Sequence, residues 1–230
     1  MSQPAPFTSQ IRSIDDLRSS AGQLEAVLNT GRDDARYAAL VCHPHPPSGG
    51  TLHNKVVYNT MKAFSALGVP VVRFNFRSAG LSEGVYDDGR GEQDDVRAAL
   101  GWIEQNLKLP ILFAGFSFGA YVGLRACCGD PRVKGLVGLG LPVRAHYRDY
   151  TYEFLPQCHQ PKLFISGDAD EFSPRDAMER ALATATEPKQ LYWVVGADHF
   201  FQGTPVSPGS KLPVMQGHLR EWLHDQFQLG

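Results

Sequence analysis

No apolar run in this sequence approaches the ~18–20 residues that a bilayer-spanning helix needs, and neither sign of charge dominates. Lys and Arg number 22 against 24 Asp and Glu, a formal net charge of −2. The first absence argues against a membrane partner. The second removes the basic footprint expected of a nucleic-acid binder. The opening stretch from Met1 to Gln10 has neither a basic start nor an apolar core, so no secretory leader is expected. Cysteine is scarce: Cys42, Cys127, Cys128 and Cys158 match no zinc spacing, and Cys127 and Cys128 are adjacent and awkward to bridge. Reduced thiols in a cytoplasm are therefore expected, in preference to a redox pair. No G-x-x-x-x-G-K-[ST] occurs, and the Gly135 to Gly140 stretch lies inside a strand region rather than opening a helix. Neither a P-loop nor a dinucleotide fingerprint is present.

What remains is a chain that can build a large core. With 230 residues, 43% of them hydrophobic, it can bury roughly 70–75% of the surface it exposes when unfolded. One domain covering residues 1–230 is expected, with many turns from 23 Gly and 16 Pro. Ser13 to Asp16 and Gly22 to Leu28 read as short antiparallel edge strands. After them, short apolar runs alternate with helical patterns. Strands are expected at Tyr37 to Cys42, Val71 to Phe76, Pro110 to Ala114, Val133 to Leu139, Lys162 to Ser166 and Gln190 to Val195. Helices are expected at His53 to Leu67, Glu92 to Leu107, Ser117 to Cys128 and Val214 to Phe227. A further helix starts at Ser173, read as its N-cap, with Pro174 at N1. Leu141 to Gln160 shows no period and reads as a short cap-like excursion. Strands alternating with helices imply βαβ units and a mostly parallel sheet with helices on both faces. Chemistry then belongs beyond the carboxyl ends of the strands.

Three of those ends carry reactive side chains. The run Gly115-Phe116-Ser117-Phe118-Gly119 is a G-x-S-x-G between a strand and a helix. Alone it would occur by chance in roughly one chain in ten of this length; its strand–turn–helix setting raises its weight. The next two ends read Gly167-Asp168-Ala169-Asp170-Glu171 and Gly196-Ala197-Asp198-His199. The order Ser, Asp, His at successive strand ends is the order of the α/β-hydrolase triad. A serine hydroxyl needs a base near pKa 7, and that base needs an anion to fix its tautomer. Each piece also has a bland reading, as N-cap, turn former or loop histidine. The joint occurrence argues against all three being bland together.

The sequence resembles a family of small, nearly capless bacterial α/β-hydrolases. The resemblance rests on His43-Pro44-His45-Pro46, Gly49-Gly50, Asn54-Lys55-Val56-Val57 and the stretch Arg73-Phe74-Asn75-Phe76-Arg77-Ser78-Ala79-Gly80. The Gly-Phe-Ser-Phe-Gly, Gly-Asp-x-Asp and Ala197-Asp198-His199-Phe200-Phe201 segments also fit. It departs at Ser78, where the family usually has Gly. The resemblance runs from about Gly22 onward and implies the α/β-hydrolase fold with a minimal cap. It implies Ser117 as nucleophile, His199 as base and Asp170, rather than Asp168, as the acid. Two backbone N–H groups should form the oxyanion hole. Phe118 supplies one, and His45 the other, because Pro44 and Pro46 have no N–H.

These residues point to a cofactor-free serine hydrolase of small carboxylic esters, with thioesters as the runner-up and a non-catalytic interaction domain as the rival class. The partner expected is a small-molecule ester or thioester, and a homodimer stays open. His43 and His45 form an H-x-H pair that could hold a metal, but no third ligand lies at motif spacing, so no metal is expected. Tyr147, Tyr150 and Tyr152 could line a pocket or simply pack.

Overall fold

The computed structural model describes residues 9–145 and 148–230. Eight strands form one sheet: β1 (Ile11–Ile14), β2 (Ala26–Asn29), β3 (Ala38–Cys42), β4 (Val71–Phe74), β5 (Ile111–Phe116), β6 (Val133–Leu139), β7 (Lys162–Gly167) and β8 (Lys189–Val194). Their spatial order is β1-β2-β4-β3-β5-β6-β7-β8. β1 pairs antiparallel with β2, and β2 antiparallel with β4. From β4 through β8 every pairing is parallel. All carboxyl ends of β3 to β8 therefore open onto one rim.

The central strands are apolar throughout because both faces are covered. Alternate residues of β5 feed opposite cores: Ile111 and Phe113 enter one, Leu112 and Ala114 the other. The first core lies beneath α2 (Gly91–Asn106) and α3 (Phe118–Cys127). The second lies beneath α1 (Lys55–Ala66) and α5 (Leu212–Phe227). Helix α1 starts where the Asn54 side chain accepts the Val56 N–H at 2.9 Å, satisfying one of its orphan donors. Helix α4 (Arg175–Leu182) starts differently from the sequence expectation. Pro174 is its N-cap and Ser173 makes no capping bond, its hydroxyl being buried without a partner among the described residues. Asp170, not the helix, sets the path there, through its bond to the Phe172 N–H.

Polar residues of the Arg73 to Arg77 stretch brace the rim loops. Arg73 donates to the Leu52 carbonyl at 2.8 Å and to Asn29 Oδ1 at 3.0 Å. Asn75 accepts the Leu52 N–H at 2.7 Å and donates to Glu25. Arg77 grips the fully buried Asp95, which also accepts from the Ser19 hydroxyl at 2.6 Å. Ser78 sits at φ 68°, a left-handed conformation that costs a non-glycine residue about 1–2 kcal/mol and that a glycine would adopt freely.

Within the 141–160 excursion, Arg144–Ala145 pairs antiparallel with Arg148–Asp149, and a 3₁₀ turn follows at Leu155–Gln157. Tyr150 and Tyr152 pack edge-on against Tyr121 of α3. Tyr147 lies outside the described residues. The expectation of four reduced thiols is corrected: Cys128 and Cys158 form a disulfide, tying the end of the excursion to the end of α3. Adjacency barred a Cys127–Cys128 bridge but not this one, because the fold brings residues 30 positions apart to a Cα separation of 5.0 Å. Cys42 and Cys127 remain free and buried, their thiols pushed up by burial. Among the described residues no helix is long and apolar enough to cross a membrane.

Candidate active site

The turn from β5 to α3 is tight enough to place Ser117 at φ 55°, ψ −123°. A side chain at either flanking glycine would collide with backbone. At Gly115 an added Cβ would lie 2.6 Å from Ala120 Cα, and at Gly119 it would meet the His43 carbonyl oxygen. The G-x-S-x-G pattern is thus a steric requirement of the turn. The Ser117 N–H is held by the Leu139 carbonyl at 2.9 Å. The N-terminus of α3, a favourable place for developing negative charge, begins at the next residue.

Ser117, Asp170 and His199 come from three strand ends and meet. His199 Nε2 lies 3.0 Å from Ser117 Oγ, and His199 Nδ1 lies 2.8 Å from Asp170 Oδ2. Asp170 Oδ1 accepts the Phe172 N–H at 2.9 Å, and the Ser166 hydroxyl stands 3.4 Å from Oδ2. All three side chains are buried, His199 and Asp170 at 4% exposure. The rings of Phe116, Phe172 and Phe200 stand 5.0, 4.7 and 5.2 Å from the His199 ring. They exclude water around the imidazole without blocking Nε2 from Ser117.

The neighbouring carboxylates are occupied elsewhere. Asp168 accepts the Gly196 N–H at 2.7 Å and so ties the loop that follows β7 to the loop that follows β8. Asp198 accepts the N–H groups of Phe200 and Gln202 at 2.9 and 2.8 Å.

His43 and His45 do not converge on a common point. The buried His43 ring has one nitrogen 2.7 Å from the Pro44 carbonyl, and the other accepts the Phe76 N–H at 2.9 Å. A carbonyl can only accept, so Nδ1 carries the proton and the ring is neutral. Burial pushes its pKa down to about 4. His45 lies between Ser48 Oγ at 2.9 Å and the Tyr86 hydroxyl at 3.0 Å. Its ring packs edge-on at 5.3 Å against that of Phe118, so the two residues expected to furnish oxyanion donors are neighbours. Phe118 is the first residue of α3, where the N–H has no intrahelical acceptor.

Sequence reasoning missed Tyr86. It stands in a glycine-rich loop with no periodic signal, and only the fold brings it 41 residues back along the chain to His45. Beside the site runs a cleft of about 490 Å³, whose lining includes Thr51, His53, Lys55, Asp198, Phe200 and Gln202. Phe200 is the wall shared with His199.

Strand order, elbow and site together define the α/β-hydrolase fold class. The match to a family model described as an alpha/beta hydrolase domain covers residues 38–223, and the chain belongs to that family. An alpha-beta serine hydrolase homologue from Coxiella burnetii superposes with a TM-score of 0.80 at 33% identity, over 95% of this chain and 99% of that one. A serine hydrolase described as lacking a lid, from Xanthomonas campestris, gives 0.76 at 35% identity, over 96% and 95%. An uncharacterized protein of Rickettsia prowazekii is 36% identical over 188 residues, covering 75% of this chain and 79% of its own length.

Proposed function

We propose that this α/β-hydrolase is a serine esterase acting on small carboxylic esters through a Ser117–His199–Asp170 triad. The observation that carries the reading is the continuous hydrogen-bonded path from Asp170 Oδ2 through both His199 nitrogens to Ser117 Oγ, at 2.8 and 3.0 Å. Asp170 accepts from Nδ1–H, leaving the Nε2 lone pair toward the hydroxyl. Ser117 Oγ attacks the ester carbonyl while Nε2 takes its proton. The oxyanion forms toward the backbone N–H groups of Phe118 and His45. The imidazolium then protonates the departing alkoxide, an acyl-enzyme remains on Ser117, and water repeats the sequence to release the acid. Every step uses this chain's own residues.

The excursion favours short acyl groups. It is pinned by the Tyr152 hydroxyl on the Pro142 carbonyl at 2.8 Å, by Arg148 on Asp88 and by the disulfide. Its paired strands carry Arg144, Arg148 and Asp149, too polar for a greasy flap. An open site buries few methylenes, each worth about 0.8 kcal/mol, and longer chains gain nothing further.

The test is a series of chromogenic esters of increasing acyl length, with Ser117→Ala as control. Turnover should peak at a short acyl group, show no jump at the micelle threshold, and fall by several orders of magnitude in Ser117→Ala. A fluorophosphonate should label Ser117 alone. An optimum at about ten carbons or more, where each methylene would still add binding, would refute the open-site argument. No turnover at all would favour a non-catalytic interaction domain.

A further inference from the structure

We propose that Tyr86 is a positioning residue for the oxyanion loop, the central link of a hydrogen-bonded chain from Arg148 to His45. The proposal rests on the esterase reading, in which the His45 N–H receives the oxyanion. The chain is continuous. Ser48 Oγ lies 2.9 Å from His45 Nδ1, and His45 Nε2 lies 3.0 Å from the Tyr86 hydroxyl. That hydroxyl lies 3.3 Å from Asp88 Oδ1, which receives Arg148 Nη1 at 2.8 Å. Arg148 also donates to the Asp88 carbonyl at 2.9 Å.

The direction of the protons follows from the ends. A carboxylate paired with a guanidinium can only accept, so the Tyr86 hydroxyl donates to Asp88. Its oxygen then accepts Nε2–H from His45, and Nδ1 accepts the Ser48 hydroxyl proton. Burial and the Asp88 charge push the Tyr86 phenol well above its usual range, which keeps it a donor. The tautomer and the tilt of the His45 ring are both fixed by this sequence of bonds.

Three observations show that the chain is built rather than incidental. Its supporting loop is braced by the fully buried Glu92, whose two oxygens accept the N–H groups of Asp87 and Gly89 at 2.8 and 2.7 Å. Asp88 adopts a left-handed φ of 54° to face both partners. The Tyr86 ring packs against both His45 and Phe118, at 5.2 and 5.7 Å. One residue thus touches the side chains of both expected oxyanion donors. At the other end, Arg148 stacks on Tyr121 and Tyr150 at 5.4 and 5.0 Å, so the excursion bears on the loop that would stabilise the oxyanion.

Tyr86→Phe removes only the hydroxyl and keeps the ring packing. The expected result is a loss of about 10- to 100-fold in kcat, the scale of a small misplacement of a reacting group, with KM changed less than about 3-fold. Affinity for a trifluoromethyl ketone, which mimics the tetrahedral adduct, should fall by the same factor as kcat. Melting temperature should stay as in the parent, and Ser117 should still be labelled to completion but more slowly, because phosphonylation draws on the same oxyanion donors. Arg148→Met, at the far end, should lower kcat less, and its effect should shrink in the Tyr86→Phe background. Unchanged kcat and unchanged ketone affinity in both variants would overturn the proposal, as would a loss confined to melting temperature or KM. A parent enzyme that neither turns over esters nor takes a fluorophosphonate label would instead refute the esterase reading, and the proposal with it.

Discussion

Replacing Asp170 by Asn changes one oxygen for an NH2 group, yet the site leaves that amide no good orientation. With its oxygen on the Phe172 N–H, where Asp170 Oδ1 now accepts at 2.9 Å, its NH2 faces His199 Nδ1. The imidazole must then accept at Nδ1 and carry its proton on Nε2, so it cannot take the Ser117 proton. Turned the other way, the amide restores the tautomer but sets its NH2 against the Phe172 N–H. Leaving that buried donor unpaired costs about 1–3 kcal/mol. The negative charge is lost in either case. A carboxylate about 4 Å from the centre of an imidazolium is worth about 4 kcal/mol at an effective dielectric near 20. Together these give about 5–7 kcal/mol, or a fall in kcat of roughly 10⁴-fold or somewhat more. Asp168 is the internal control. It is exposed and accepts a single N–H, from Gly196, which an Asn oxygen accepts equally well, so Asp168→Asn should cost less than about 5-fold. Steady-state turnover of a short chromogenic ester reads both variants, with circular dichroism to show that each is folded. If Asp168→Asn is the more damaging change, or if Asp170→Asn keeps a tenth of the parent rate, the tautomer argument fails.

His43 should titrate near pH 4, well below its unfolded value of ~6.5. The unfolded chain then binds one more proton than the native one between these values, so this residue's contribution to stability is present above pH ~6.5 and is lost as pH falls toward 4, at about 1.4 kcal/mol per pH unit. A proton-resolved titration in which His43 moves at an ordinary histidine pKa would contradict its buried neutral role. Reduction of Cys128–Cys158, 30 residues apart, should lower stability by about 3–4 kcal/mol on loop-closure grounds. Thiol titration of the denatured, unreduced protein should find two free groups, Cys42 and Cys127; four would remove the bridge. Ser117→Gly should be more stable than Ser117→Ala, by about 1 kcal/mol, the relieved strain at φ 55° less the unfolded-state entropy of Gly. Equal stability of the two would show that the elbow is not strained.

Much of the frame was readable because it is written in local signals. β6 runs from Val133 to Leu139 as its apolar run indicates, and α1, α2 and α5 begin and end within two residues of their periodic patterns. The three site residues stood out because each follows a strand and the elbow needs its glycines. Asp170 was separable from Asp168 only by family resemblance, since both precede the same helix and what divides them is reach across the sheet edge. What stayed hidden depends on pairings between distant residues. The Cys128–Cys158 bridge, Arg77 on Asp95 and Tyr86 on His45 are set by tertiary approach and leave no period in the chain. Ser173 failed as a cap for a related reason: the bond from Asp170 to Phe172 already fixes the entry to α4.

The His43 ring has consequences for how this protein can change. Its neutral imidazole joins the Pro44 carbonyl to the Phe76 N–H, while its own carbonyl lies where any side chain at Gly119 would have to go. His43 is therefore a keystone, its ring joining the loops after β3 and β4 and its backbone carbonyl lying against the elbow, and a replacement side chain would need one donor and one acceptor at the same spacing. Phe200, Gln202, His53 and Lys55 line the cleft without taking part in that keystone. An experimenter can vary His53, Lys55 and Gln202 without touching Ser117, His199 or the turn that presents Ser117, whereas Phe200 also packs on the His199 ring.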